Sequence, residues 1–102
     1  MTEMGHFQRA EDANIGLGWL YYAMVRIFRP TTSVCIGSWR GFVPLILGKG
    51  NEDNSEKGEV VFIDPSLVDD QWAEPENTKD WFARFDTNNI RHFHMTTQEF
   101  VD

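Results

Sequence analysis

Three short strand-like runs, Ser33–Ile36, Glu59–Asp64 and Ile90–Met95, the first two mostly apolar, alternate with segments of helical spacing, and this alternation constrains the fold more than any other feature. The first run, Ser33-Val34-Cys35-Ile36, carries no charge, as expected of a strand covered on both faces. The second ends in Asp64 followed by Pro65. The helical segments are Asn14–Phe28, Phe42–Leu47, Pro75–Phe85 and a last one from Gln98, which Thr96 and Thr97 can cap. Asn14–Phe28 is apolar almost all round, which predicts burial on two sides, and Pro30 ends it. Strands alternating with helices predict βαβ units with right-handed crossovers. The expected fold is α/β: a truncated Rossmann-like three-layer sandwich, with a parallel sheet of order 3-2-1 and flanking helices.

Residues 1–13 read as a polar N-terminal arm and residues 14–102 as the domain. Gly37–Gly41 is a turn, and Gly48-Lys49-Gly50 is expected to stop the helix that begins at Phe42. The mostly acidic stretch Asn51–Gly58 reads as a mobile loop, and Leu67–Trp72 as a loop or short helix. Trp72, Trp81, Phe82 and Phe85 are expected to fill the core.

A chain of 102 residues allows one domain. A formal net charge of −7, without a basic run, argues against free nucleic acid as a partner. The longest apolar stretch, Leu17–Val25, falls short of the roughly 20 residues that span a bilayer, so no membrane partner is expected. Met1–Ala10 has no apolar signal core, and the lone Cys35 allows no intrachain disulfide, which points to the reducing cytoplasm. Cys35 lies within an apolar strand and reads as a small buried hydrophobe rather than a nucleophile. His92 and His94 share one side of the third strand, but no ligand spacing accompanies them, so no metal site is expected.

A buried strand, a glycine turn and a helix N-terminus together form a cradle for an anionic or polar ligand. Glycine lets the backbone come close, and the helix dipole favours negative charge. An acid ending the next strand can accept hydrogen bonds from ribose hydroxyls. Asp64 is that acid; it follows Gly37 by 27 positions, against about 20 in dinucleotide-binding folds, and the acidic stretch accounts for the excess. The dinucleotide fingerprint itself fails, because Trp39 and Phe42 stand where glycines are required. A phosphate-binding loop fails too, since Gly48-Lys49 is followed by Gly50 and no strand precedes it.

Val34-Cys35-Ile36-Gly37-Ser38-Trp39-Arg40-Gly41-Phe42-Val43-Pro44 resembles the first motif of class I S-adenosylmethionine-dependent methyltransferases. Phe62-Ile63-Asp64-Pro65-Ser66 resembles that family's second motif, and Met95 to Phe100 the third-strand turn that approaches the adenine. The resemblance covers residues 30–102 and implies the N-terminal half of such a domain, with S-adenosylmethionine as cofactor and an unknown methyl acceptor. It implies that the turn backbone of Gly37, Ser38, Trp39 and Gly41 meets the methionine end. Asp64 would hold the ribose, with Pro65, Ser66, Thr96 and Thr97 near the adenine. Cys35 stands where the family has an acid, Trp39 where it has a second glycine, and Thr96 where an acid is common. The family's catalytic groups follow a fourth strand, so none is assigned here. The alternative expectation is a non-catalytic structural or assembly module on the same fold. In either case a first strand with one neighbour leaves a sticky edge, expected to pair with another copy or with a complementary chain.

Overall fold

In the computed structural model, which describes residues 9–12, 14–37, 41–66 and 71–102, the three runs form one parallel sheet. Its strands are β1 (Thr32–Ile36), β2 (Glu59–Ile63) and β3 (Ile90–Phe93). β2 is central, so the order read from the β3 edge is 3-2-1. Cys35 lies beside Phe62 and Phe62 beside His92; one residue further on, Ile36, Ile63 and Phe93 form the next row. The helices are α1 (Gly18–Phe28), α2 (Phe42–Asp53), α3 (Pro75–Ala83) and α4 (Thr97–Val101). Part of the N-terminal arm, Ala10–Asp12, is a single 3-10 turn, closed by a backbone pairing of Arg9 with Asn14. Residues 1–8 of that arm and residues 67–70 lie outside the described residues.

Strand pleating sends alternate side chains to opposite faces. Cys35 and Phe62 point into a cluster with Leu45, Trp72 and Phe82, which is the core beneath α2 and α3. Trp72 stacks on Phe82 at 5.6 Å and meets Phe62 edge-on at 5.1 Å. The opposite face carries Val34, Ile36, Val61, Ile63 and Phe93. α4 lies on that face, with Phe100 edge-on to Phe93 at 5.0 Å. Val61 and Ile63 are buried, whereas Val34 is 55% and Ile36 63% exposed.

α2 packs chiefly on β2, and α1 runs beside α2. The three-residue link Arg29–Thr31 joins α1 to β1, so α1 flanks α2 on the β1 side of the sheet. A second cluster, Phe42 and Ile46 with Ile15, Tyr21 and Tyr22, seals the α1–α2 contact.

Two expectations need correction. The helix expected to stop at Gly48-Lys49-Gly50 continues to Asp53. Its glycines serve close packing instead: a Cβ at Gly48 would come 2.9 Å from Asn89 Oδ1, and one at Gly50 2.9 Å from Val25 Cβ. The acidic stretch expected to be a mobile loop is anchored at both ends. Asn51 is fully buried and donates to Ser33 Oγ and Leu47 O, each at 3.1 Å. Asn54, also buried, donates to Val25 O at 3.0 Å, taking up a carbonyl in the last turn of α1. Arg29 reaches Glu56 at 2.9 Å. Short amides bridging backbone ends from a polar segment leave no periodic signal.

Candidate functional site at the carboxyl ends of the strands

A parallel sheet brings the carboxyl ends of its strands to one edge, and there Gly37 and Asp64 become neighbours. The Gly37 amide donates to Ile63 O at 2.9 Å, one residue before Asp64. The Asp64 amide donates in turn to Phe93 O at 3.1 Å, extending the ladder to β3. Gly37 has φ 75°, in the left-handed region that glycine enters without steric cost, and turns the chain away from the sheet.

The Asp64 side chain is held in place. Its Oδ1 accepts the Ser66 amide at 2.7 Å, and Ser66 stands at φ 60°. Ser66 Oγ then accepts the Trp72 amide at 3.1 Å, tying the acid's loop to the core. Gly41, at φ 86°, begins α2 directly against the indoles: a Cβ there would be 2.8 Å from Trp72 Cη2 and 3.0 Å from Trp81 Nε1. Ser38 and Trp39 lie outside the described residues.

Beyond β3, Thr96 and Glu99 form a reciprocal cap on α4. Thr96 Oγ1 accepts the Glu99 amide at 3.2 Å, and Glu99 Oε1 accepts the Thr96 amide at 3.0 Å. The expected cap is therefore present, and it engages the Thr96 hydroxyl; Thr97 is the exposed first residue of α4. Pro65 is half-buried between Asp64 and Ser66.

Cys35 faces the core, and its Sγ lies 3.5 Å from Gly37 O. Burial, with the nearby charge of Asp64 adding to it, pushes the thiol up to about 12. A thiol so far from ionisation is no nucleophile at neutral pH. The raised value also fixes the sign of a pH effect. The native state holds its proton where the unfolded thiol, with an ordinary value of 9.0, has lost it. Stability from this group is complete below about pH 9 and falls as pH rises toward 12, by up to about 1.4 kcal/mol per unit. Urea titrations between pH 8 and 10.5 should show this fall, and Cys35→Ala should flatten it. A thiol reagent should label Cys35 slowly in the native protein and rapidly in urea.

The sequence reading did not find a groove of about 290 Å³ between α3 and β3, lined among others by Thr78, Phe82, Ile90, His92 and His94. The alternation Ile90, His92, His94 was its only trace, because the opposing wall comes from α3. His92 lies tilted against Phe62 at 4.7 Å, and its Nε2–H donates to Asp64 O at 3.0 Å. Burial holds its pKa below the usual histidine value, partly offset by Asp64, so the ring is neutral at pH 7. Among the described residues no three His, Cys, Asp or Glu side chains converge as a metal site would require. Among them, too, no helix is long and apolar enough to cross a membrane.

The chain matches no family model, no curated protein and no solved structure. Its functional reading therefore rests on the geometry of this edge. That edge brings Gly37 and Asp64 together on the ladder, with Ser66 bonded to the acid in the loop that follows.

Proposed function

We propose that the carboxyl edge of the sheet binds the adenosyl moiety of S-adenosylmethionine, and that the chain forms the cofactor-binding half of a methyltransferase-like domain. The observation that carries this reading is the adjacency of Gly37 and Asp64 across the β1–β2 ladder. It puts an unhindered backbone turn next to a fixed carboxylate, the pair that a charged amino-acid tail and a ribose diol require. Asp64 accepts the ribose hydroxyls. The backbone at Gly37, Ser38, Trp39 and Gly41 meets the methionine end, and Pro65, Ser66, Thr96 and Thr97 border the adenine. The methyl acceptor enters from outside these residues, and no base for it is assigned to this chain.

Calorimetric titration of the chain with S-adenosylmethionine tests the reading. Saturable heat is expected, matched by a rise in melting temperature. Asp64→Ala should weaken binding about 10- to 100-fold, the loss of a charge-assisted hydrogen bond of about 1.5–3 kcal/mol. No heat and no thermal shift at millimolar cofactor would overturn it. Equal binding of unrelated nucleosides would reduce it to general adenosine recognition.

A further inference from the structure

α1 is apolar on the side that turns away from α2. Gly18 and Val25 face α2, and the outward positions are Trp19, Leu20, Ala23, Met24, Ile27 and Phe28. Ile27 is 71% and Phe28 74% exposed. A helix apolar all round belongs between two packed layers, and among the described residues only one is present. Next to it, β1 pairs among the described residues with β2 alone.

The open edge of β1 is specific about what it accepts. Thr31 O and the Gly37 amide bond to β2, so in a parallel ladder the odd-numbered residues face β2. Thr32, Val34 and Ile36 then direct their N–H and C=O groups outward. An antiparallel copy of the same strand, on a two-fold axis at Val34, satisfies all of them. Val34 exchanges both bonds with its twin, and Thr32 faces Ile36 of the other copy. The strand has none of the usual guards of an exposed edge: no lysine, no proline and no charge.

Charge selects the same surface. The chain carries 16 acidic residues and a net charge of −7, yet none of the acids lies between Asp12 and Glu52. Arg29, at the end of α1, is already paired with Glu56. α1 and β1 themselves therefore carry no acid, and the acids that approach α1, Asp53 and Glu56, are engaged by Tyr22 and Arg29, so two acidic copies meet here with the least repulsion. Exposed Trp19, Leu20, Ile27 and Phe28 on α1 and Val34 and Ile36 on β1 supply this surface, against the about 800 Å² that each partner gives to a standard interface.

We propose that two copies of this chain join across β1 into one six-stranded sheet, with the two α1 helices packed on each other above the seam. The two-fold axis is perpendicular to the sheet, so both helices lie on the same face. The assembly is independent of cofactor binding, and its test separates the two.

Sedimentation of the purified chain across a wide concentration range should give a dimer, and hydrogen exchange should show a protected Val34 amide. Val34→Pro removes one outward N–H and leaves the β2 ladder intact, so it should yield a folded monomer with the wild-type circular dichroism. Ile27→Glu, on the outside of α1, should raise the dissociation constant more than tenfold, and it decides alone if Val34→Pro does not fold. A wild-type monomer at millimolar concentration with a rapidly exchanging Val34 would overturn the proposal. So would a dimer that survives these substitutions, or open-ended polymers in place of a dimer.

Discussion

Trp72→Ala should destabilise the protein by about 3–5 kcal/mol, a large share of the roughly 5–15 kcal/mol that holds a domain folded. Trp72 is 2% exposed and touches every layer of the core: it stacks on Phe82 of α3 and meets Phe62 of β2 edge-on. It also closes over Gly41 at the start of α2. Its loss opens a void that residues from three elements would have to collapse into, and close-packed interiors relax only partially. With about 1–3 kcal/mol per molar urea for a small protein, the unfolding midpoint should fall by about 1–5 M. A fall below about 0.5 M would show that the loop carrying Trp72 is not integral to the core. Because the Trp72 amide donates to Ser66 Oγ, this loop also positions the candidate ribose-binding acid. Trp72→Phe keeps most of the apolar volume and should retain more of the stability.

The second large effect is expected at Gly58. It precedes β2, where the chain passes under the α1–β1 link. A Cβ there would collide with Pro30 O, and would lie 2.6 Å from Asn51 Oδ1 and 2.9 Å from Thr31 O. Two of these obstacles are backbone and cannot swing aside. The Glu59 amide also donates to Thr31 O at 2.9 Å, so any retreat breaks a ladder bond. Gly58→Ala should cost about 1–3 kcal/mol, the usual penalty of overpacking. For a domain of this size that lowers the melting temperature on the order of 10 °C. A variant that melts within 2 °C of wild type would show that the link moves freely.

The legible part of this fold is the part written in periodicity. Ser33–Ile36 and Glu59–Ile63 are apolar runs too short for helices, and their alternation with helices leaves a parallel sheet as the economical answer. The neighbourhood of Gly37 and Asp64 follows from that sheet, because adjacent parallel strands end side by side. What was illegible depends on contacts distant in sequence. Gly48 and Gly50 look like a helix stop, and only the packing of Asn89 and Val25 against them explains why the helix continues. Asn51 and Asn54 look like solvated loop, yet their amides reach Ser33 and Val25. The groove beside His92 needs α3 as its second wall, which no local pattern in β3 announces.

The buried asparagines fix one end of the sheet from within. Asn51, Asn54 and Asn89 gather at the amino ends of the strands, and Asn89 Nδ2 donates to both Gly48 O and Gly58 O, at 3.0 and 3.2 Å. They strap the end of α1, the body of α2 and the starts of all three strands together. At the other end β1 and β2 finish at Gly37 and Asp64. The asparagine end thereby keeps the strand register that sets Gly37 beside Asp64 at the opposite edge.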